Sequence, residues 1–276
     1  MQPPSPAPGV VGASPEVVFW QTIAGSTNPA DFSAYLQQFP QGTFVLLART
    51  RLAILSTPSA PGVAADDAAW PEAERRSVQG ALAALRHYRG PVNGSFGGDT
   101  RTAILHWQAF AGIEETGRLS DGQRGRILAD ADRLAGLLRV ARKSPRAAAA
   151  ESAKGASARF NLGSAFERGE GQPEDPAEAA YWYTLAASDG WAAAYTNLGT
   201  LYVRGQGVPK ADPDAARLLW LTAAALGEGT ALFNLGVLAE KGIGGPADAA
   251  AAKRWYARGV ERKHAASAAA LQRLGG

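Results

Sequence analysis

Asn161-Leu162-Gly163 returns as Asn197-Leu198-Gly199 and again as Asn234-Leu235-Gly236, at intervals of 36 and 37 residues. A fixed period of that length marks stacked supersecondary units, none of which can bury its apolar face alone. The rest of the unit travels with the triplet: a Gly-x-Gly pair (Gly169/Gly171, Gly205/Gly207, Gly242/Gly244), a run of small residues, then Trp182-Tyr183, Trp220 or Trp255-Tyr256. Two units close on a small-residue run that ends in glycine, at Gly190 and Gly227, where a chain leaving a helix needs a left-handed residue. The pattern predicts one helix hairpin per unit. Its first helix carries the Leu-Gly and its second the aromatics, with alanine where helices approach closely.

Over Ser157 to the C-terminus this pattern resembles Sel1-like repeats, relatives of the tetratricopeptide repeat. Unit three departs from it, with "GVERKH" where a small-residue and glycine ending belongs. The run from Ala265 to Leu274 reads as a closing helix, as expected of a terminal unit that must cap an exposed core. The resemblance implies an α-solenoid that recruits a protein partner, and Trp191, directly after a hairpin glycine, is the candidate partner contact.

Upstream, "SVQGALAALRHYRGPVNGSFGGDTRTAILHWQAFAGIEETGRLSDGQRGRIL" reads as two helices joined by a glycine-dense loop, then a second loop and a third helix. It resembles the small three-helix peptidoglycan-binding domain of bacterial wall hydrolases. The agreements are Val78, Gln79, Leu82 and Leu85 on helix one, then Val92 to Gly94, Phe96-Gly97 and Thr100 in the loop. Ala103 and Gln108 agree on helix two, and Thr116-Gly117 before helix three. Asn93 replaces the usual aspartate, keeping a turn acceptor without the charge, and Trp107 stands where phenylalanine is commoner. The resemblance implies peptidoglycan as ligand. Candidate contacts are Asn93 and Ser95 in the loop, Arg101 for a stem carboxylate, and Tyr88 or Trp107 for a sugar or apolar face, with Phe96 and Trp107 as core the competing assignment.

The whole chain is expected to be all-α. Residues 1–14 read as a Pro-rich disordered tail, 15–56 as a helical segment, 57–69 as a linker, 70–142 as the small domain with an extended last helix, 143–156 as a second linker and 157–276 as the repeats. In the first helical segment Phe32, Tyr35, Leu36, Phe39, Phe44, Leu47 and Leu52 recur at helical spacing. That segment resembles the tetratricopeptide-like stretches that accompany caspase-like peptidase domains. Small domain and repeats are expected to fold independently, so that loss of Phe96 unfolds the first and spares the second.

Chemistry is excluded more easily than binding. The chain has no cysteine, hence no disulfide, thiolate metal site or cysteine nucleophile. The loop "GSFGGDT" places Asp99 where a phosphate loop needs lysine. His87, His106 and His264 lack metal spacing, and Glu114-Glu115 and Asp66-Asp67 read as solvated acids of a loop and a linker. No Gly-x-Ser-x-Gly elbow occurs. No catalytic residue, metal or cofactor is therefore expected. A net charge of +3 over 276 residues is no nucleic-acid signature. The opening residues show neither an export signal nor a membrane span. The expectation is a non-catalytic envelope or periplasmic protein with peptidoglycan and a protein as partners. The alternatives are a cytoplasmic adaptor, or the targeting and scaffold part of a larger hydrolase.

Overall fold

The computed structural model describes residues 15–23, 29–40, 42–45, 48, 52, 66–139 and 155–275. The tail at 1–14 and most of both expected linkers lie outside the described residues, as does much of the expected helical segment beyond 45. Among the described residues every regular element is a helix. Helices α1 (Pro15–Ile23) and α2 (Pro29–Gln38) pack through Trp20, Ile23, Phe32 and Tyr35. Trp20 stacks on Phe44 with ring centres 4.9 Å apart, and the Tyr35 hydroxyl donates to Glu16 at 2.6 Å.

The small domain is built from a short helix α3 (Asp66–Ala69) and three longer ones, α4 (Glu72–Ala84), α5 (Gly98–Ala111) and α6 (Asp121–Leu137). Ser120 and Gln123 begin α6 with a reciprocal capping box. The helical turn at Asp66–Ala69 corrects the reading of Asp67 as a solvated linker acid. Its side chain is fully buried, where it receives the guanidinium of Arg101 and the backbone N–H of Leu119 at 3.1 Å. A carboxylate is tolerated there because charge and hydrogen bonds are both answered.

The repeats fold as hairpins α7/α8 (Ala156–Arg168, Pro176–Ser188), α9/α10 (Ala192–Arg204, Pro213–Ala225) and α11/α12 (Ala249–Glu261 following Gly229–Lys241), closed by α13 (Ala265–Arg273). Asp175, Asp212 and Asp248 cap the second helices, the first two ahead of a proline at the first turn. The glycine of each triplet marks where the partner ring lands. A Cβ on Gly163 would stand 2.6 Å from the Tyr183 ring, on Gly199 2.6 Å from Trp220 and on Gly236 2.3 Å from Tyr256. The irregular end of unit three resolves in register: Lys263 (φ +58°) takes the left-handed backbone that Gly190 (+88°) and Gly227 (+92°) take in units one and two. His264 then caps α13, accepting from the Ser267 N–H at 3.3 Å.

Small domain and solenoid do not stand apart. One apolar core runs from Val78, Ile104 and Trp107 into Leu218, Leu219 and Leu235, with α6 laid against α10. Arg133 pairs with Asp212 at 3.0 Å, Arg258 donates to the Ala109 carbonyl at 3.0 Å, and Arg86 donates to the Tyr195 hydroxyl at 3.3 Å. The rings of Phe110 and Trp255 meet edge to face at 5.7 Å. This differs from the expectation of two independent units, because apolar residues on the outer faces of α5 and α6 find their cover on the solenoid.

Candidate ligand-binding site

The loop between α4 and α5 is held from beneath by one amide. Gln79, fully buried on α4, accepts from the N–H groups of Asn93 at 3.0 Å and Gly94 at 2.8 Å. It also donates to the Ser95 carbonyl at 2.9 Å and the Thr100 hydroxyl at 3.0 Å. Arg75 closes the same loop from its flank, donating to the carbonyls of Gly94 and Trp70 at 2.6 Å each. Gly94 (φ +77°) has no room for a side chain, since a Cβ would lie 2.6 Å from Glu72 Cγ. Asn93 Oδ1 accepts from the Ser95 N–H at 2.9 Å, an Asx turn that fixes the tip. Gln108 on α5 holds the next loop in the same way, accepting from Gly117 N–H at 2.9 Å and donating to the Arg118 carbonyl at 2.7 Å.

The five candidate contacts separate into three places. Asn93 and Ser95 are exposed on the loop beside Val92, which is 48% exposed. Tyr88 lies buried directly under them, its hydroxyl donating to the Pro91 carbonyl at 2.9 Å. Arg101, expected to await a ligand carboxylate, already holds one: its fork grips Asp67, with the Phe96 ring 5.4 Å from the guanidinium carbon. Trp107 is not beside the loop at all. Its ring is 4% exposed and faces the seam with the solenoid, near Arg126, Leu218 and Leu221. On the repeats, Trp191 is 38% exposed at the start of α9 and leans on Phe160 at 6.1 Å.

The roles of Gln79, Gln108 and Asp67 emerge only from the fold. The signal for the two glutamines is an amide set within an apolar helical face, a place that polar side chains occupy only when fully hydrogen-bonded. Among the described residues no three histidines or acids come together as a metal cage.

Comparison with known proteins places a family on each part. The peptidoglycan binding domain model matches residues 71–126, and the Sel1 repeat model matches 156–191, 192–228 and 229–264. The chain carries a peptidoglycan binding domain followed by three Sel1 repeats. Each matched repeat is one of the hairpins above, and α13 lies beyond the last of them. Among solved structures, a Sel1 repeat protein from Oxalobacter formigenes is 29% identical over 46% of this chain and 50% of its own, with a TM-score of 0.41. The protective antigen c5321 of uropathogenic Escherichia coli, displaying an SLR fold, is 16% identical over 94% of this chain and 55% of its own, also at 0.41. This chain thus spans about half the length of both structures. No curated protein matches. Both families found in the chain are binding and repeat types, not catalytic ones.

Proposed function

We propose that this chain is a non-catalytic protein of the bacterial cell envelope, which binds peptidoglycan through the loop between α4 and α5 and recruits a protein partner through the Sel1 repeats. The observation that carries the reading is the match of residues 71–126 to a peptidoglycan binding domain, on a loop that Gln79 holds rigid while Val92, Asn93 and Ser95 stay open to solvent. A preorganised loop loses little freedom on binding. In this reading Asn93 and Ser95 offer hydrogen bonds to the wall polymer, while Tyr88 and Arg101 position the loop from below. The compartment is the periplasm or envelope. No helix among the described residues is long and apolar enough to cross a membrane.

Sedimentation of the full chain with insoluble peptidoglycan tests the reading. Val92→Asp with Ser95→Asp adds two charges of the same sign as the stem carboxylates at exposed positions, and is expected to weaken binding about tenfold or more, a loss of about 1.4 kcal/mol. Wall binding unchanged by that pair, or absent from the unaltered chain, sinks the proposal. The adaptor reading then leads, favoured by the core shared between small domain and solenoid.

A further inference from the structure

The seam between the two domains is not closed along its whole length. Where α5 ends against the last repeat, an open cleft of about 740 Å³ remains, a volume within the range of about 300 to 1,000 Å³ typical of ligand sites. Its floor is apolar, with Phe110 from the small domain and Leu221 and Trp255 from the solenoid. Its rim is cationic: Arg126 from α6, Arg217 from α10 and Arg254 from α12 bring guanidinium groups from three helices to one opening. Arg258 lies deeper, held by the Ala109 carbonyl, its guanidinium carbon 5.0 Å from the ring centre of Phe110 and 5.2 Å from that of Trp255.

This charge is answered only in part from within. Of the two acids in the cleft, Asp248 accepts from the Ala251 N–H as the cap of α12, and Glu115 acts on Arg258. Arg126 reaches the half-buried Asp130 only at 3.9 Å, and Arg217, which Asp130 also attracts, pairs at 2.6 Å with exposed Asp214, a surface pair of the kind that exchanges at small cost. Arg254 is exposed and forms no ion pair among the described residues. Guanidinium forks set above aromatic rings match carboxylates on a chain that also carries a bulky apolar side chain.

We propose that this cleft is a composite site for an acidic peptide segment of a protein partner, its carboxylates on Arg126, Arg217 and Arg254 and an aromatic or leucine side chain on the Phe110, Leu221 and Trp255 floor. The assignment rests on the reading that the repeats recruit a protein, and gives that partner its chemistry. The apolar floor of Phe110, Leu221 and Trp255 favours a segment that brings a large apolar side chain together with its carboxylates. Since neither domain holds the whole site, binding depends on their docking.

The test is fluorescence anisotropy of the full chain with a pool of labelled hexapeptides, each carrying two glutamates, one phenylalanine and randomised remaining positions. Beside it run the same pool with glutamine for glutamate and a soluble wall stem peptide. Binding in the micromolar range by members of the acidic pool is expected, weakened as salt is raised and at least about tenfold weaker in Arg217→Glu with Arg254→Glu. Both arginines are exposed, so an unchanged melting temperature certifies that variant as folded. No binder in the acidic pool, equal binding by the glutamine pool, indifference to the double variant, or binding by the stem peptide alone each overturns the proposal. Val92→Asp with Ser95→Asp is expected to leave peptide binding intact, so the wall reading and the cleft can fail separately.

Discussion

Gly199 shows how a single missing side chain sets the distance between helices. In an exposed helix interior, glycine costs about 1 kcal/mol relative to alanine, so Gly→Ala should stabilise. At Gly199 a Cβ would lie 2.6 Å from Trp220 Nε1, and that ring cannot simply turn aside because its N–H donates to the Thr196 carbonyl at 2.8 Å. Overpacking of this kind costs about 1 to 3 kcal/mol, with a further 1 kcal/mol or so if the hydrogen bond is lost. Gly199→Ala is therefore expected to lower stability by about 2 kcal/mol net. Gly125→Ala, in α6 with nothing within 4 Å of the added carbon, is expected to raise it by about 0.5 to 1 kcal/mol. Denaturant midpoints of the two variants check this, and a like sign in both contradicts the contact assigned to Gly199. The periodic glycines were legible in the sequence because such close approaches recur once per repeat. Lys263, the left-handed residue of unit three, was not, since nothing in a lysine announces its backbone angle.

Helices and their loops are joined in the small domain by polar side chains rather than by regular pairing. Gln79 satisfies two backbone N–H groups of the loop after α4 and donates to two acceptors. Gln79→Leu keeps a similar volume and leaves those groups unanswered in a buried place, where each costs about 1 to 3 kcal/mol unless water enters. The expected outcome is destabilisation by about 3 kcal/mol together with loss of amide-exchange protection at Asn93 and Gly94. Protection at Gly117, held by Gln108, should persist in the folded fraction. Equal loss at both loops would show that the domain had loosened as a whole and that Gln79 is no local clamp. Sequence reading found these elements and their order through periodicity and turn glycines. An amide within an apolar face marks Gln79 as hydrogen-bonded but does not name its partners, and nothing marks Asp67 as buried 34 residues before the arginine that grips it, because long-range polar pairing leaves no local pattern.

The molecule as a whole is held by a seam that sequence reading could not anticipate: Trp107, Phe110 and Trp255 are indistinguishable, as letters, from aromatics buried within their own domain. That seam also contains His87 and His106, whose Nδ1 atoms lie 3.1 Å apart beside the edge of Phe110. Burial, and then the neighbouring His106, push His87 from 6.5 down to about 3. Burial, then Arg258 and Arg262, lower His106 as well. Around His87 stand Arg126 and Asp130 of α6 with Leu218, Leu221 and Thr222 of α10, and Asp130 is itself raised by burial. Both imidazoles are thus neutral in the fold at a pH where the unfolded chain already takes up protons. Below 6.5 the unfolded state binds more protons than the native one, so the stability that rests on neutral histidine is whole above 6.5 and is lost as the pH falls toward about 3. Glu240, held at about 2 by Arg273 and Tyr256, gives up its own contribution as the pH falls from 4.5 toward about 2, so it overlaps the histidine window only below 4.5 and leaves the interval above that to the imidazoles. His87→Gln keeps a polar group of similar reach but removes the titration. It is expected to melt lower than the unaltered chain near pH 7 and to close that gap by about pH 4.5, within the range where histidine changes charge. A gap in melting temperature that stays constant across that range would mean that the histidine pair does not titrate in the seam.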